Sequence, residues 1–185
     1  MSGNSLSALV FLVNILLGLY TAAVMLRFLL QWVRADFYNP VCQAIVKLTN
    51  PLLLPIRRII LGWRGLDFAA VVLVIIIQII NVTLILVILR FSMDPLSVAW
   101  WTLLKIIFVL VNLYFVTILV EALLSWTNQG QRNPVASLLW GVNAPLLQPL
   151  RKLIPPLSGL DFSPLVALIL LQVISILLPL PGALR

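Results

Sequence analysis

The chain contains no histidine, one cysteine (Cys42) and only five acidic residues among its 185. Histidine and cysteine are the usual ligands of protein-bound zinc, so their scarcity disfavours a metal site. A single cysteine cannot form an internal disulfide. No nucleophile beside a base and no paired carboxylates stand out, so the sequence predicts a protein that is not an enzyme and carries no cofactor or metal.

Charged residues are also scarce, at 9% of the chain against 63% hydrophobic residues. Soluble domains carry about a quarter charged residues, so a soluble globular domain is disfavoured. Apolar runs cover residues 6–26, 68–89 and 162–184 without any charge, and 98–126 with only Lys105 and Glu121. Each run is long enough to cross a bilayer, and none alternates as a β-barrel strand would. The sequence predicts an all-α membrane protein with four transmembrane helices, the first of which is retained rather than cleaved.

The basic residues fall mainly into two of the segments between these runs. Cytoplasmic loops of membrane proteins accumulate Lys and Arg, which explains the net charge of +7 better than binding to nucleic acid does. The segments after the first and third helices hold eight basic residues: Arg34, Lys47, Arg57, Arg58, Arg64, Arg132, Arg151 and Lys152. Three lie on the other side: Arg90, Lys105 and Arg185. This asymmetry predicts that both long loops are cytoplasmic and both termini lie outside.

The chain repeats itself at an offset of 94 residues. Between residues 39–68 and 133–162, 13 of 30 positions are identical without a gap, including Asn-Pro, Pro-x-x-x-Pro and Gly-Leu-Asp-Phe. The match predicts two repeats, residues 1–92 and 93–185, each with two transmembrane helices and one amphipathic, proline-containing loop. Because each repeat holds an even number of helices, the repeats are parallel and related by an axis along the membrane normal.

Within each loop, an Asn-Pro pair is expected to start a short amphipathic helix, with Asn39 and Asn133 as the N-caps. The prolines that follow are expected to end that helix and favour extended backbone: Pro51, Pro55, Pro145 and Pro149.

A basic pair then follows in each loop, and an aspartate comes ten positions after its first arginine. Arg57-Arg58 and Arg151-Lys152 are interpreted either as topology signals or as a site for anionic lipid headgroups. Asp67 and Asp161 are expected to cap the next helix, with pairing to the nearby arginine as a further possibility.

These motifs together resemble the YggT (YlmG) family of bacterial and plastid membrane proteins. The resemblance rests on MLRFLLQW at 25–32, LLSW at 123–126, and both copies of Asn-Pro, Pro-x-x-x-Pro-x-Arg-basic and Gly-Leu-Asp-Phe. It covers nearly the whole chain and matches the two-repeat proteobacterial type. One departure is Leu-Gly-Trp-Arg at 61–64, where a proline-containing turn such as Pro155-Pro156 is usual.

The resemblance implies a multi-pass protein of the bacterial inner membrane, in a context of cell division, membrane organisation, osmotic tolerance or cofactor assembly. It brings no catalytic residues. The function expected is that of a non-catalytic organising or assembly factor whose partners are the bilayer, anionic lipids, a membrane protein or a second copy. The alternative is a small ion or solute channel or transporter.

Four polar residues inside the predicted membrane helices stand at matched positions of the two repeats. Arg27 aligns with Glu121, so the two are expected at equal depth, where they either form an ion pair or Arg27 extends to the interface. Gln78 aligns with Gln172, and both are expected to face the bundle and form interhelical hydrogen bonds, with Asn14, Asn81 and Asn112 as further candidates.

Overall fold

The two halves of the chain fold into the same order of helices. The computed structural model describes residues 3–60, 62, 66–91, 94–126, 133–154 and 161–185. The described residues form six α-helices: α1 Gly3–Trp32, α2 Pro40–Arg57, α3 Phe68–Leu89, α4 Pro95–Trp126, α5 Pro134–Leu153 and α6 Ser163–Leu177. A short 3-10 helix, Gly182–Leu184, follows α6. Each helix of the first half therefore has a counterpart in the second at the offset found in the sequence.

Three of the four predicted membrane helices are long and apolar enough to cross a bilayer. These are α1, α3 and α4, with apolar stretches of 29, 22 and 31 residues. The fourth is shorter than predicted, because α6 has 15 residues and ends at Leu177. Pro179 and Pro181 follow directly, and proline cannot donate the backbone hydrogen bond that would continue the helix. The remaining residues turn onto the bundle, where Leu180 and Leu184 are buried.

The bundle is built from helix pairs within each half and joined between the halves. α1 packs on α3, α4 packs on α6, and the halves meet where α3 packs on α4. One apolar cluster joins Val24 and Met25 of α1 to Leu73 and Ile77 of α3. The buried side chains of these helices are mainly aliphatic, so close packing rather than polar bonding holds most of the bundle together.

The prediction that Pro51 and Pro55 end the amphipathic helix is wrong, because α2 is continuous across both. α5 is likewise continuous across Pro145 and Pro149. Proline inside a helix leaves the carbonyl four residues earlier without its donor. For α2 those carbonyls belong to Lys47 and Pro51, which lie on the exposed side of the helix. There the helix can bend slightly and the carbonyls can be solvated.

The predicted N-caps of these two helices are confirmed. Asn39 Oδ1 accepts from the Val41 N–H, and Asn133 Oδ1 accepts from the Val135 N–H, each at 2.9 Å. Asp94 caps α4 in the same way, accepting from the Ser97 N–H at 3.0 Å.

α2 and α5 start side by side and are amphipathic. Asn39 Nδ2 donates to the Pro134 carbonyl at 2.8 Å and so joins the two helices at their first residues. α2 buries Cys42, Thr49 and Leu53 against the bundle. Its apolar Leu48, Leu52 and Leu54 remain exposed. A helix with an exposed apolar side suits the interface of a membrane.

Candidate functional site

The first basic loop is held by an ion pair between Arg57, at the end of α2, and Asp67, just before α3. Arg57 Nε lies 3.1 Å from Asp67 Oδ2, and the Nη2 group contacts the same oxygen. The Asp67 side chain is only 4% exposed and makes no capping bond to α3, so the expectation that it caps this helix is wrong. The alternative, pairing with the nearby arginine, is confirmed.

The second loop has the same pair with one addition. Arg151 Nε donates to Asp161 Oδ2 at 2.8 Å, while Asp161 Oδ1 accepts from the Ser163 N–H at 2.9 Å. Asp161 therefore both caps the start of α6 and pairs with arginine. Burial raises the pKa of its carboxyl, but the hydrogen bonds from Ser163 and Arg151 outweigh burial and leave the pKa below its ordinary value. The ionised form is thus the one that holds this loop.

The predicted ion pair between Arg27 and Glu121 does not form. Arg27 Nη1 donates to Thr49 Oγ1 at 2.6 Å and to Asn50 Oδ1 at 2.8 Å, both on α2. It also donates to the Val46 carbonyl at 3.4 Å. An arginine near the C-terminal end of α1 therefore finds its acceptors on the adjoining amphipathic helix instead of crossing to the other repeat.

Glu121 makes the equivalent contact in the second repeat. It accepts from Asn143 Nδ2 on α5 at 2.7 Å, and its other oxygen lies 3.8 Å from Arg151 Nη2. Asn143 in turn accepts from Thr117 Oγ1 at 2.8 Å.

The two contacts lie at matched positions of the two repeats, but the donor and acceptor roles are exchanged. Thr49 and Asn143 are separated by the repeat offset, as are Arg27 and Glu121. A donor on α1 meets an acceptor on α2, whereas an acceptor on α4 meets a donor on α5. Sequence reasoning missed Thr49, Asn50 and Asn143, although the offset marks the first and last as equivalent polar residues within otherwise apolar helices.

A polar cleft of about 350 Å³ lies beside the second of these contacts. Its walls include Glu121 and Ser125 of α4, and Ser137, Trp140 and Arg151 of α5. Glu121 and Arg151, which lie 3.8 Å apart, both line it, so the cleft presents both a carboxylate and a guanidinium. The first repeat has arginine at both matched positions, Arg27 and Arg57, and cannot form the same cleft.

The second members of the basic pairs, Arg58 and Lys152, differ from the first. Both are exposed, and no ion pair joins either of them to another described residue. They stand beside exposed apolar residues, Ile59 next to Arg58 and Leu153 next to Lys152. We call the exposed sides of α2 and α5 with these residues the basic surface; the four prolines, Pro51, Pro55, Pro145 and Pro149, lie on it.

The matched glutamines do not share one environment. Gln78 is buried and donates to Thr21 Oγ1 on α1 at 2.9 Å, as predicted for a residue facing the bundle. Gln172 is exposed on α6, so the prediction that it also faces the bundle is wrong. The counterpart of Thr21 is Phe115, which offers no hydrogen-bond acceptor on its side chain.

Lys105 is buried toward the end of the bundle away from α2 and α5. Its Nζ donates to Asn81 Oδ1 at 2.7 Å and to Asn14 Oδ1, while Asn14 Nδ2 donates to the Ala183 carbonyl at 2.7 Å. Asn14 and Asn81 therefore form interhelical hydrogen bonds as expected, and Asn14 also joins the end of the chain to the bundle.

Several predicted residues lie outside the part of the chain that the structure describes. They are Arg64, Gly65, Arg132, the Pro155-Pro156 turn, Gly159, Leu160 and the boundary between repeats at 92–93. The division of the chain at that boundary stays a prediction.

Comparison with known proteins gives one family. A family model described as CCB3/YggT matches residues 6–89 and, separately, residues 100–181. The chain is 40% identical over 173 residues to "Uncharacterized protein PA0392" of Pseudomonas aeruginosa, with 92% of this chain and 88% of that protein covered. It is 36% identical over 171 residues to "Uncharacterized protein YggT" of Escherichia coli, with the same coverage. No solved structure matches the chain.

The contacts of Arg27 and Glu121 with α2 and α5 generate a test by double-mutant cycle. We expect Glu121→Met and Asn143→Leu to be coupled by about 1–3 kcal/mol in the free energy of unfolding in detergent, because each change removes the hydrogen bond that the other polar group makes across α4 and α5. Arg27→Met and Glu121→Met should instead be additive, since these side chains bond to different helices. Coupling between Arg27 and Glu121 as large as that between Glu121 and Asn143 would contradict this assignment.

Proposed function

This chain belongs to the CCB3/YggT family, and we propose that it is a non-catalytic organising or assembly factor of the bacterial inner membrane. In this proposal the basic surface binds anionic lipid headgroups or a membrane-protein partner. The names of the matched relatives state no activity. Catalysis is not part of the proposal, because the polar groups near the two loops bond to one another and hold the loops in place.

The proposed membrane arrangement has four spans. α6 measures about 22 Å at 1.5 Å per residue, against a hydrocarbon core of about 30 Å. The segment after it, residues 178–185, extends this span, because Leu180 and Leu184 pack with Val10 and Ile85 near the outer end of the bundle. With α6 across the membrane, α2 and α5 lie on the same side, and the positive-inside rule makes that side cytoplasmic.

One observation carries the proposed role: two amphipathic helices are fixed side by side at one end of the bundle with their basic residues exposed. Arg57 and Arg151 are occupied by Asp67 and Asp161, which leaves Arg58 and Lys152 for a ligand. Exposed cations beside exposed apolar side chains suit a lipid, because the cations can bind the anionic headgroup while the apolar side chains contact the acyl chains.

A channel or small transporter is favoured by one observation, the polar cluster of Lys105, Asn14 and Asn81 inside the bundle. Between this cluster and Arg27 the described core contains one polar pair, Gln78 and Thr21, among aliphatic side chains. Such a core offers no continuous polar path, so the organising role is the better supported of the two. Ion flux through proteoliposomes of the pure protein would reverse that order.

The orientation is tested by cysteine labelling in a Cys42→Ala background. Gln43→Cys on α2 and Gln148→Cys on α5 keep all charges, and both positions are exposed. We expect both to resist a membrane-impermeant thiol reagent in intact cells and to react once the cells are opened, whereas Asn4→Cys should react in intact cells. Labelling of Gln43→Cys and Gln148→Cys on opposite sides of the membrane would rule out the four-span arrangement.

The headgroup site is tested by the lipid that remains bound to the purified protein. Arg58→Gln with Lys152→Gln should reduce retained phosphatidylglycerol or cardiolipin by about fivefold for each charge, since a basic residue near an anionic surface contributes about 1 kcal/mol. Native mass spectrometry measures the retention. The matched control, Arg90→Gln with Arg185→Gln, removes two charges from the other end and should leave retention unchanged. Equal lipid retention in both double variants would reduce Arg58 and Lys152 to topology signals.

A further inference from the structure

α3 and α6 are counterparts, yet α3 is covered along two stripes and α6 along only one. The first stripe of α3 includes Ala69, Leu73, Ile77 and Asn81, and all are buried. Its counterpart on α6 is also buried: Ser163, Ala167, Leu171 and Ser175. The second stripe of α3 is buried as well: Ala70, Val74, Gln78 and Val82. Its counterpart on α6 is half-buried at Pro164 and Leu168 and exposed at Gln172 and Ile176.

The second stripe of α3 is covered because α4 of the other repeat lies on it together with α1. Ala70 and Val74 line one cleft with Ile106 and Leu110 of α4. Nearer the other end, Val82 packs in a cluster with Leu104. The helix that covers α3 between the repeats is thus α4, whereas among the described residues Gln172 and Ile176 of α6 stay exposed.

The face of α4 that packs toward α3 has its own counterpart on α1, and that counterpart is exposed. On α4 these residues are buried or half-buried: Lys105, Ile106, Val109, Leu110 and Leu113. On α1 the matched residues are exposed: Phe11, Leu12, Ile15, Leu16 and Leu19. The contact between α3 and α4 thus has a counterpart for each of its two sides, one on α6 and one on α1, and among the described residues these two counterparts do not pack on each other within the chain.

We propose that α6 of one molecule packs on α1 of a second copy in the way that α3 packs on α4 within the chain. The occupant is a second copy because each uncovered face corresponds, residue by residue at the repeat offset, to one side of the internal interface. Both copies would be inserted in the same direction, since the two repeats are parallel.

The contact is head-to-tail rather than mutual. If a two-fold axis related the repeats, the packing of α3 on α4 would be matched by packing of α6 on α1 in the same chain. Among the described residues α6 has no packing on α1 comparable to that of α3 on α4. The two uncovered faces therefore point to different neighbours, and repetition of the contact gives a closed ring or a row in the membrane.

Gln172 distinguishes this face of α6 from an ordinary lipid-facing surface. It lies nine positions after Ser163, the first residue of α6, about 14 Å along the helix and so near the middle of a bilayer. An amide facing lipid there has no water to bond with, which makes an uncovered glutamine unfavourable. A covering helix can supply a hydrogen-bond partner from its backbone or side chains.

Gly18 on α1 suits the opposite side of the same contact. A Cβ added at Gly18 would meet nothing within 4 Å in the single chain. A small residue on an open membrane-helix face allows another helix to approach closely. Gly18 adjoins Leu19 and lies one turn from Ile15, at the edge of the uncovered face.

The test is disulfide crosslinking between two differently tagged, full-length copies, both with Cys42→Ala, co-expressed in the membrane. One copy carries Phe11→Cys and the other carries Ile176→Cys, because their counterparts Lys105 and Val82 lie where α4 packs on α3. We expect a crosslinked product that contains both tags, and little product when either variant is expressed alone. The matched control pairs Ile176→Cys with Leu103→Cys. Leu103 is also exposed and at a similar depth to Phe11, but it lies on α4 and not on α1, so this pair should give little product.

A second pair of variants separates this contact from accidental collision. Gln172→Leu, and separately Gly18→Leu, should lower the crosslinked fraction about fivefold, as expected for loss of one interhelical hydrogen bond or of close approach. Neither change should lower the melting temperature in detergent, because Gln172 is exposed and a Cβ added at Gly18 would meet nothing within 4 Å in the single chain. Strong self-crosslinking of the single variants, a mixed product no greater than that of the Leu103→Cys control, or a crosslinked fraction unaffected by both leucine changes would each overturn the proposal.

Discussion

The fold depends on one constraint: polar groups near the C-terminal end of each repeat's first helix must be hydrogen-bonded in surroundings that are largely apolar. Arg27 meets this with Thr49 and Asn50, and Glu121 meets it with Asn143. In both repeats the partner lies on the amphipathic helix that follows. A buried charge without such a partner would cost several kcal/mol, so these contacts fix where α2 and α5 can lie.

The ion pairs hold the other end of each amphipathic helix. Arg57 with Asp67, and Arg151 with Asp161, connect the end of that helix to the start of the next membrane helix. With both ends held, α2 and α5 have little freedom to move away from the bundle. Their exposed sides therefore keep a fixed position on the bundle.

The features that the sequence predicted correctly are those encoded by short-range patterns. The repeat, the caps at Asn39 and Asn133, and the pairing of each loop arginine with its aspartate follow from spacing alone. The sequence did not reveal that Pro51 and Pro55 lie within a helix, because their cost depends on which side of α2 faces away from the bundle. Nor did it reveal the partners of Arg27 and Glu121, since equal depth does not imply contact and a nearer acceptor on α2 or α5 prevails. Gln172 was wrongly predicted to face the bundle because the two repeats match in sequence but not in packing: α4 packs on α3, and no equivalent helix packs on α6 among the described residues.

Hydrogen–deuterium exchange of the two amphipathic helices tests most directly whether each is held by its own repeat. In the wild type the amides of α2 and α5 should both be protected. Arg27→Met should speed exchange in α2 and leave α5 unchanged, whereas Glu121→Met should speed exchange in α5 and leave α2 unchanged, because each change removes the partner of one helix only. Unchanged protection in both variants, or equal loss of protection in both helices whichever residue is replaced, would contradict the account.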